Sequence, residues 1–143
     1  MAVTVKKITL WRTETQDRVG LLANVLEPLA NARADLQVCM GYRLSGDSNR
    51  AAIEVAPITG SKATAAARSA GLAPSSIPTL QVTGDNRPGL GHAMASAVAD
   101  AGIGMNFLVA QVIGRKYSAI VGFANDDDAK KATPLIKKAA AKK

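Results

Sequence analysis

Residues 84–94 read GDNRPGLGHAM, and sixty-nine positions earlier residues 15–25 read TQDRVGLLANV. Each stretch sets polar residues and an arginine before a glycine, then opens an apolar run with helical spacing. Glycine enters backbone conformations with positive φ that other residues avoid, and proline fixes its own φ. The pair therefore reads as one loop-to-helix turn used twice, with Val19 standing where the second copy has Pro88.

Working outward, both copies sit in the same order of elements. In the first, TVKKITLWR (4–12) is a strand candidate and TETQD (13–17) the loop after it. The run from Arg18 follows as a helix, with Val19, Leu22, Val25, Leu26 and Leu29 on one face and a kink expected at Pro28. LQVCMGYRL (36–44) alternates with period 2, placing Leu36, Val38, Met40, Tyr42 and Leu44 on one face and Cys39 on the other. SGDSN (45–49) has hairpin-turn chemistry, RAAIEVAPI (50–58) returns as the partner strand, and an Ala-rich helix ends at Gly71. In the second copy IPTLQVT is the strand and GDNR the loop, and a helix runs from Pro88 in its first turn. MNFLVAQVI and KYSAIVGFA form a hairpin across GRK. The last helix is divided at Pro134, with Thr133 capping its second part.

The order β-α-β-β-α, closed by one more strand, predicts an α+β chain. It would hold two ferredoxin-like βαββαβ units in tandem, residues 1–74 and 75–143, with antiparallel sheets and helices on one face. SSIPTLQVT (75–83) is placed to finish the first sheet while opening the second. No strand follows the last helix, and the N-terminal AVTV is the candidate to fill that gap, so the units are expected to share strands. In both strands of the second hairpin each face carries apolar residues, and Ile120 faces away from Val121 and Phe123. A sheet with helices on one side needs only one apolar face. The second face calls for a cover, which favours a homodimer.

Composition narrows the function. With 143 residues and nearly half of them apolar the chain is globular, but only Trp11, Tyr42, Phe107, Tyr117 and Phe123 are aromatic. The core must be built from aliphatic side chains. The net charge of +7 is concentrated in Lys130, Lys131, Lys137, Lys138, Lys142 and Lys143, and the remaining basic residues nearly balance the acids. The tail lacks the aromatic platforms of single-strand binders, so nucleic-acid association through it is the weakest reading. The N-terminal residues lack the apolar stretch of a secretory leader, and no run is long enough to cross a membrane. A cytoplasmic protein is expected. One histidine (His92) and one cysteine (Cys39) offer neither a metal-ligand set nor a nucleophile–base pair, so no metal, cofactor or catalytic residue is assigned and the chain is read as a non-enzyme.

Asp85-Asn86-Arg87-Pro88-Gly89-Leu90, repeated as Gln16-Asp17-Arg18-Val19-Gly20-Leu21, resembles the loop of the ACT domain, a regulatory module that binds amino acids. The resemblance covers nearly the whole chain, as two copies without a catalytic domain. It implies an effector, an amino acid or related carboxylate, at an interface between paired units. The loop between first strand and first helix would meet it there, and the start of a neighbouring unit's second strand would face it. The residues so implied are Asp17, Arg18, Val19, Gly20 and Leu21 with Gln37, and Asp85, Asn86, Arg87, Pro88, Gly89 and Leu90 with Asn106. A helix N-terminus suits a carboxylate, and Asn86 or Asp17 would hold an α-amino group or brace the loop. The two glycines serve a tight turn, a ligand's close approach, or both. The chain departs from the family at Val19, and at Asp35 and Gly104, where many amino-acid-binding members carry asparagine. If one copy alone binds, the rigid NRPG loop is the expected one. The alternative is a dimerisation module that docks on a partner enzyme without a small-molecule ligand.

Overall fold

The stretch TVKKITLWR is divided between two sheets. The computed structural model describes residues 3–46 and 49–142, and in it β1 (Val3–Ile8) and β2 (Trp11–Gln16) are separate strands. β1 pairs antiparallel with β6 (Thr79–Asp85), and β2 pairs with β4 (Arg50–Ala56). The change of sheet falls at residues 9 and 10. TETQD is thus mostly strand, because Thr13 and Thr15 share Trp11's face while Arg12, Glu14 and Gln16 take the other.

The first compact unit covers residues 9–76. After β2 come α1 (Leu21–Asn31), β3 (Val38–Arg43), β4, α2 (Gly60–Ser69) and β5 (Ala73–Pro74), with sheet order β3-β4-β2-β5. α1 runs through Pro28 as one helix, held to the sheet by Leu21, Val25 and Leu29. Trp11, Ile53, Val55 and Ala67 join them in the core, and the Arg68 guanidinium lies 5.2 Å from the centroid of the Trp11 ring. The sheet is finished by the two residues of β5, so the SSIPTLQVT segment is not a strand common to both sheets. Of the expected SGDSN turn, Asp47 and Ser48 lie outside the described residues.

The second unit joins residues 3–8 to residues 77–142, so the division differs from an even split after residue 74. It contains β6, α3 (Leu90–Asp100), β7 (Phe107–Ile113), β8 (Lys116–Gly122) and α4 (Asp126–Ala141), in the sheet order β1-β6-β8-β7. β1 takes the place that β5 has in the first sheet and supplies the closing strand missing from the C-terminus. Val3 and Val5 pack against the core of Leu80, Val82, Leu90, Met94, Val98, Tyr117, Val121, Phe123 and Ile136.

α4 is one helix and is not divided at Pro134. Thr133 does not cap: its hydroxyl donates back to the carbonyl of Ala129 at 2.9 Å. The N-terminus is capped by Asn125, whose side chain accepts from the Asp128 N–H at 2.8 Å, and the first turn holds three aspartates. The helix survives its proline because Ala129, Ala132, Ile136 and Ala140 bury one face. Each unit is a four-stranded antiparallel sheet in the ferredoxin-like order with two helices. No helix among the described residues is long and apolar enough to cross a membrane.

Candidate functional site

Both glycine loops have the same backbone. In the first, the Leu21 N–H reaches the Arg18 carbonyl at 3.2 Å, with Gly20 at φ +87° and ψ 0°. In the second, the Leu90 N–H reaches the Arg87 carbonyl at 3.3 Å, with Gly89 at φ +83° and ψ 1°. These are type II turns: the glycine holds the third position, which requires positive φ, and the second position favours proline. Pro88 therefore belongs to the turn before α3, not to the helix. Val19 occupies the same position with its side chain fully in solvent. A methyl group added at either glycine would meet nothing within 4 Å, so the turn demands glycine by conformation and leaves open space above it.

Gly20→Ala and Gly89→Ala are each expected to cost about 1 kcal/mol, the strain of an L residue in the left-handed region. Val19→Pro is expected to stabilise by about 0.5 kcal/mol. Urea midpoints measure all three.

Around the first loop the structure assembles a cavity of about 360 Å³, lined by Asp17, Arg18, Gly20, Leu21, Leu22, Gly41, Tyr42, Arg43 and residues 51–53. It lies beside the N-terminus of α1, where no side chain caps the first turn. Arg43 Nε donates to Asp17 Oδ2 at 2.6 Å, and the Asp17 N–H is held by the Asn49 carbonyl at 2.9 Å. Leu22 lies over Gly41, where an added methyl group would stand 3.7 Å from the Leu22 side chain, an ordinary van der Waals contact. Four expected residues, Asp17, Arg18, Gly20 and Leu21, line this cavity, while Val19 points away from it. Arg43 was not among the expected residues: it shares its strand face with Cys39 and Gly41, and alternation alone does not say that this is the face turned toward the helices.

The second loop is built differently. Asp85 pairs with Lys116, and that hydrogen bond holds its carboxyl below the ordinary carboxylate range. The Asn86 N–H donates to the Arg115 carbonyl at 2.8 Å. Arg87 Nη2 donates to the Ala139 carbonyl at 2.9 Å, so this arginine caps the C-terminal end of α4. Its Nε and the Tyr117 hydroxyl are buried without a hydrogen-bond partner. Burial pushes the Tyr117 phenol up. A groove of about 390 Å³ lies in this unit, lined by Thr4, Thr83, Gly84, Gln111, Ile113, Lys116, Tyr117 and Ser118, and none of the seven expected second-copy residues lines it.

Gln37 and Asn106 lie far from the loop of their own unit. The Gln37 N–H donates to the Ala56 carbonyl, level with the start of β2, and the Asn106 N–H donates to the Gly122 carbonyl, level with the start of β6. Each loop leaves the opposite end of its strand, about 20 Å away at the rise of an extended chain. Gln37 lines a different cavity, of about 550 Å³, with Arg33, Asp35, Thr59, Ser61 and Lys62. One unit cannot bring its own loop and its own strand start to one small ligand.

No protein-family model and no curated protein matches the chain by sequence. Solved structures do match it in fold. A protein from Bacteroides thetaiotaomicron superposes with a TM-score of 0.73 at 14% identity, over 94% of this chain and 89% of its own. The regulatory subunit of aspartate kinase from Thermus thermophilus, in its ligand-free form, gives 0.63 at 18% identity and 97% of both chains. The regulatory subunit of aspartate kinase from Thermus flavus gives 0.63 at 17% identity, again over 97% of both. At these identities the likeness is one of fold: two ferredoxin-like units in tandem over nearly the whole chain.

Proposed function

We propose that this chain is a non-catalytic regulatory protein whose first copy holds a small amino acid, or a related carboxylate, in the cavity beside α1. The observation that carries this reading is the grouping of Asp17, Arg18, Arg43 and an uncapped helix N-terminus around an otherwise apolar pocket. A zwitterion needs all three kinds of contact. The free N–H groups of α1 and the two guanidinium groups complement a carboxylate. Asp17, already an acceptor for Arg43, complements an ammonium group, and Leu22 and Ile53 offer an apolar wall to the side chain. The volume suits a ligand of that size. This reading moves the preferred copy from the rigid NRPG loop, whose arginine is engaged with α4, to the looser DRVG loop.

A ligand changes a partner only through differential affinity for two states. The Asp17–Arg43 pair is a contact that an incoming zwitterion would exchange, which gives binding a structural consequence at the edge strand β3. A second reading, a regulatory chain docking on an enzyme, is favoured by the full-length likeness to the regulatory subunits of aspartate kinase. A thermal-shift panel of the twenty amino acids, followed by calorimetry, tests the first reading. At least one amino acid is expected to raise the melting temperature, and Arg43→Ala to weaken its binding tenfold or more while leaving the fold intact. Absence of any shift, with a stable enzyme partner recovered instead, favours the second.

A further inference from the structure

α4 carries its charge in two blocks. The three aspartates stand in the first turn, where Asp126 holds Lys7 at 2.9 Å and the Asp128 N–H is tied to Asn125. From residue 129 to residue 142 the chain has no acid and five lysines: Lys130, Lys131, Lys137, Lys138 and Lys142. All five are exposed, and none forms an ion pair among the described residues. Ala129, Ala132, Ile136, Ala139 and Ala140 turn inward, so the lysines fall on the opposite side with Pro134 and Ala141 and make one ridge. From Lys130 to Lys142 it is about 18 Å long at the rise of an α-helix.

Two ordinary duties do not account for this ridge. Cations near a helix C-terminus offset the macrodipole, but the effect fades within the last turn, and Lys130 and Lys131 stand in the second. A helix face that only keeps a protein wet interleaves both signs, whereas here Lys138 and Lys142 are a like-charge pair four residues apart.

We infer that the lysine ridge of α4 is a contact surface for the phosphate backbone of duplex DNA, bound without regard to sequence. From residue 130 onward the ridge exposes only lysine, proline and alanine. A protein interface is built around aromatic or aliphatic anchors and is depleted in lysine. A bilayer holds a helix by its apolar face as well as by charge, and that face of α4 is spent in the core. Phosphate contacts need charge alone, and a duplex offers one charge for every ~1.7 Å of its axis. The lack of aromatic platforms, which speaks against single strands, does not bear on a duplex. Nor does the ridge carry a hydroxyl or amide group to meet the 2′-hydroxyl that marks RNA. The inference is independent of what the first-copy cavity holds.

Anisotropy of a labelled DNA duplex of about twenty base pairs, titrated with the full chain, tests it. Binding is expected at low salt and should weaken as salt rises, with a log–log slope of about −4 for the five lysines. Lys130→Gln, Lys131→Gln, Lys137→Gln and Lys138→Gln together should weaken it at least about tenfold. A charge-matched variant, Lys6→Gln, Arg33→Gln, Lys62→Gln and Arg115→Gln, alters exposed residues outside α4 and should change it less than about threefold. Should the ridge variant lose its fold, acetylation footprinting of the parent chain decides: the duplex should shield Lys130, Lys131, Lys137 and Lys138 and leave Lys62 reactive. No anisotropy change at low salt overturns the inference, as do unshielded ridge lysines or an equal loss in both variants, which would make net charge the cause. Retention on phosphatidylserine vesicles without DNA binding gives the ridge to a membrane, and stronger displacement by duplex RNA gives it to RNA. Either result overturns the inference too.

Discussion

Phe123→Ala is expected to lower the stability of the second unit by about 4 kcal/mol, in the middle of the range for aromatic truncations. Phe123 is fully buried directly after β8, and its N–H donates to the Pro78 carbonyl at 2.8 Å, which fixes the backbone from which the ring projects. The cost depends on how far neighbours can move into the vacated space. Around this core Ala119, Ala129, Ala132 and Ala140 have no side-chain rotamers with which to do so. Tyr117 is the one other aromatic in this cluster, and it is tied to its own strand position. The cavity therefore persists. Phe123→Leu should cost less than about 1.5 kcal/mol, since most of the volume is kept. Urea unfolding at constant slope measures both. A Phe123→Ala loss under 2 kcal/mol would mean that the core collapses, and that its alanines do not hold the spacing between helices and sheet.

The repeat was legible because turn chemistry is local. A type II turn needs glycine at its third position whatever surrounds it, so DRVG and NRPG are visible without tertiary information. The alternation of LQVCMGYRL was equally visible, but not which of its faces meets the helices. The apolar set Val38, Met40 and Tyr42 lies on the side away from them, because Cys39, Gly41 and Arg43 are the residues opposite Val55, Ile53 and Ala51 of the core. The division of residues 3–16 into two strands was hidden for a related reason. Both halves alternate acceptably, and only sheet closure decides that Val3–Ile8 pairs with Thr79–Asp85. Arg87 illustrates the same limit at the site. Its neighbours in sequence suggest a solvated or ligand-binding side chain, whereas its partner, the Ala139 carbonyl, is supplied by a helix that begins almost forty residues later.

The two copies thus keep one backbone and differ in their edges. In the first, Arg43 and Gly41 put charge and space where the helix leaves the edge strand uncovered. In the second, Leu108 and Val112 put apolar surface there.

Arg12→Met is expected to destabilise the first unit by about 3 kcal/mol, and Arg12→Met combined with Glu54→Leu to recover most of that loss. Glu54 lies on the sheet face away from the helices and is only 2% exposed. Its Oε2 accepts from the Tyr42 hydroxyl at 2.8 Å, and its Oε1 has Arg12 Nε at 3.7 Å, too long for a hydrogen bond. A buried carboxylate loses its hydration, and removing its cation leaves that loss uncompensated; replacing both groups by apolar ones removes the charge and the cost together. Arg12 also holds Glu14 at 3.0 Å, but Glu14 is partly exposed and keeps Arg50 nearby, so this contact contributes little. A double variant as unstable as Arg12→Met alone would show that packing by the arginine stem, not charge, is what the site needs. The same network predicts a limb in the pH dependence. Burial, and then the hydrogen bond to Glu54, push the Tyr42 phenol up. Below pH ~10, the ordinary phenol value, the folded and unfolded chains both keep the proton and the contribution is fully present. Above it the unfolded chain ionises first, so stability falls as pH rises toward the raised value. Tyr117 adds to the same limb. Tyr42→Phe should therefore flatten the alkaline decline of the urea midpoint in part.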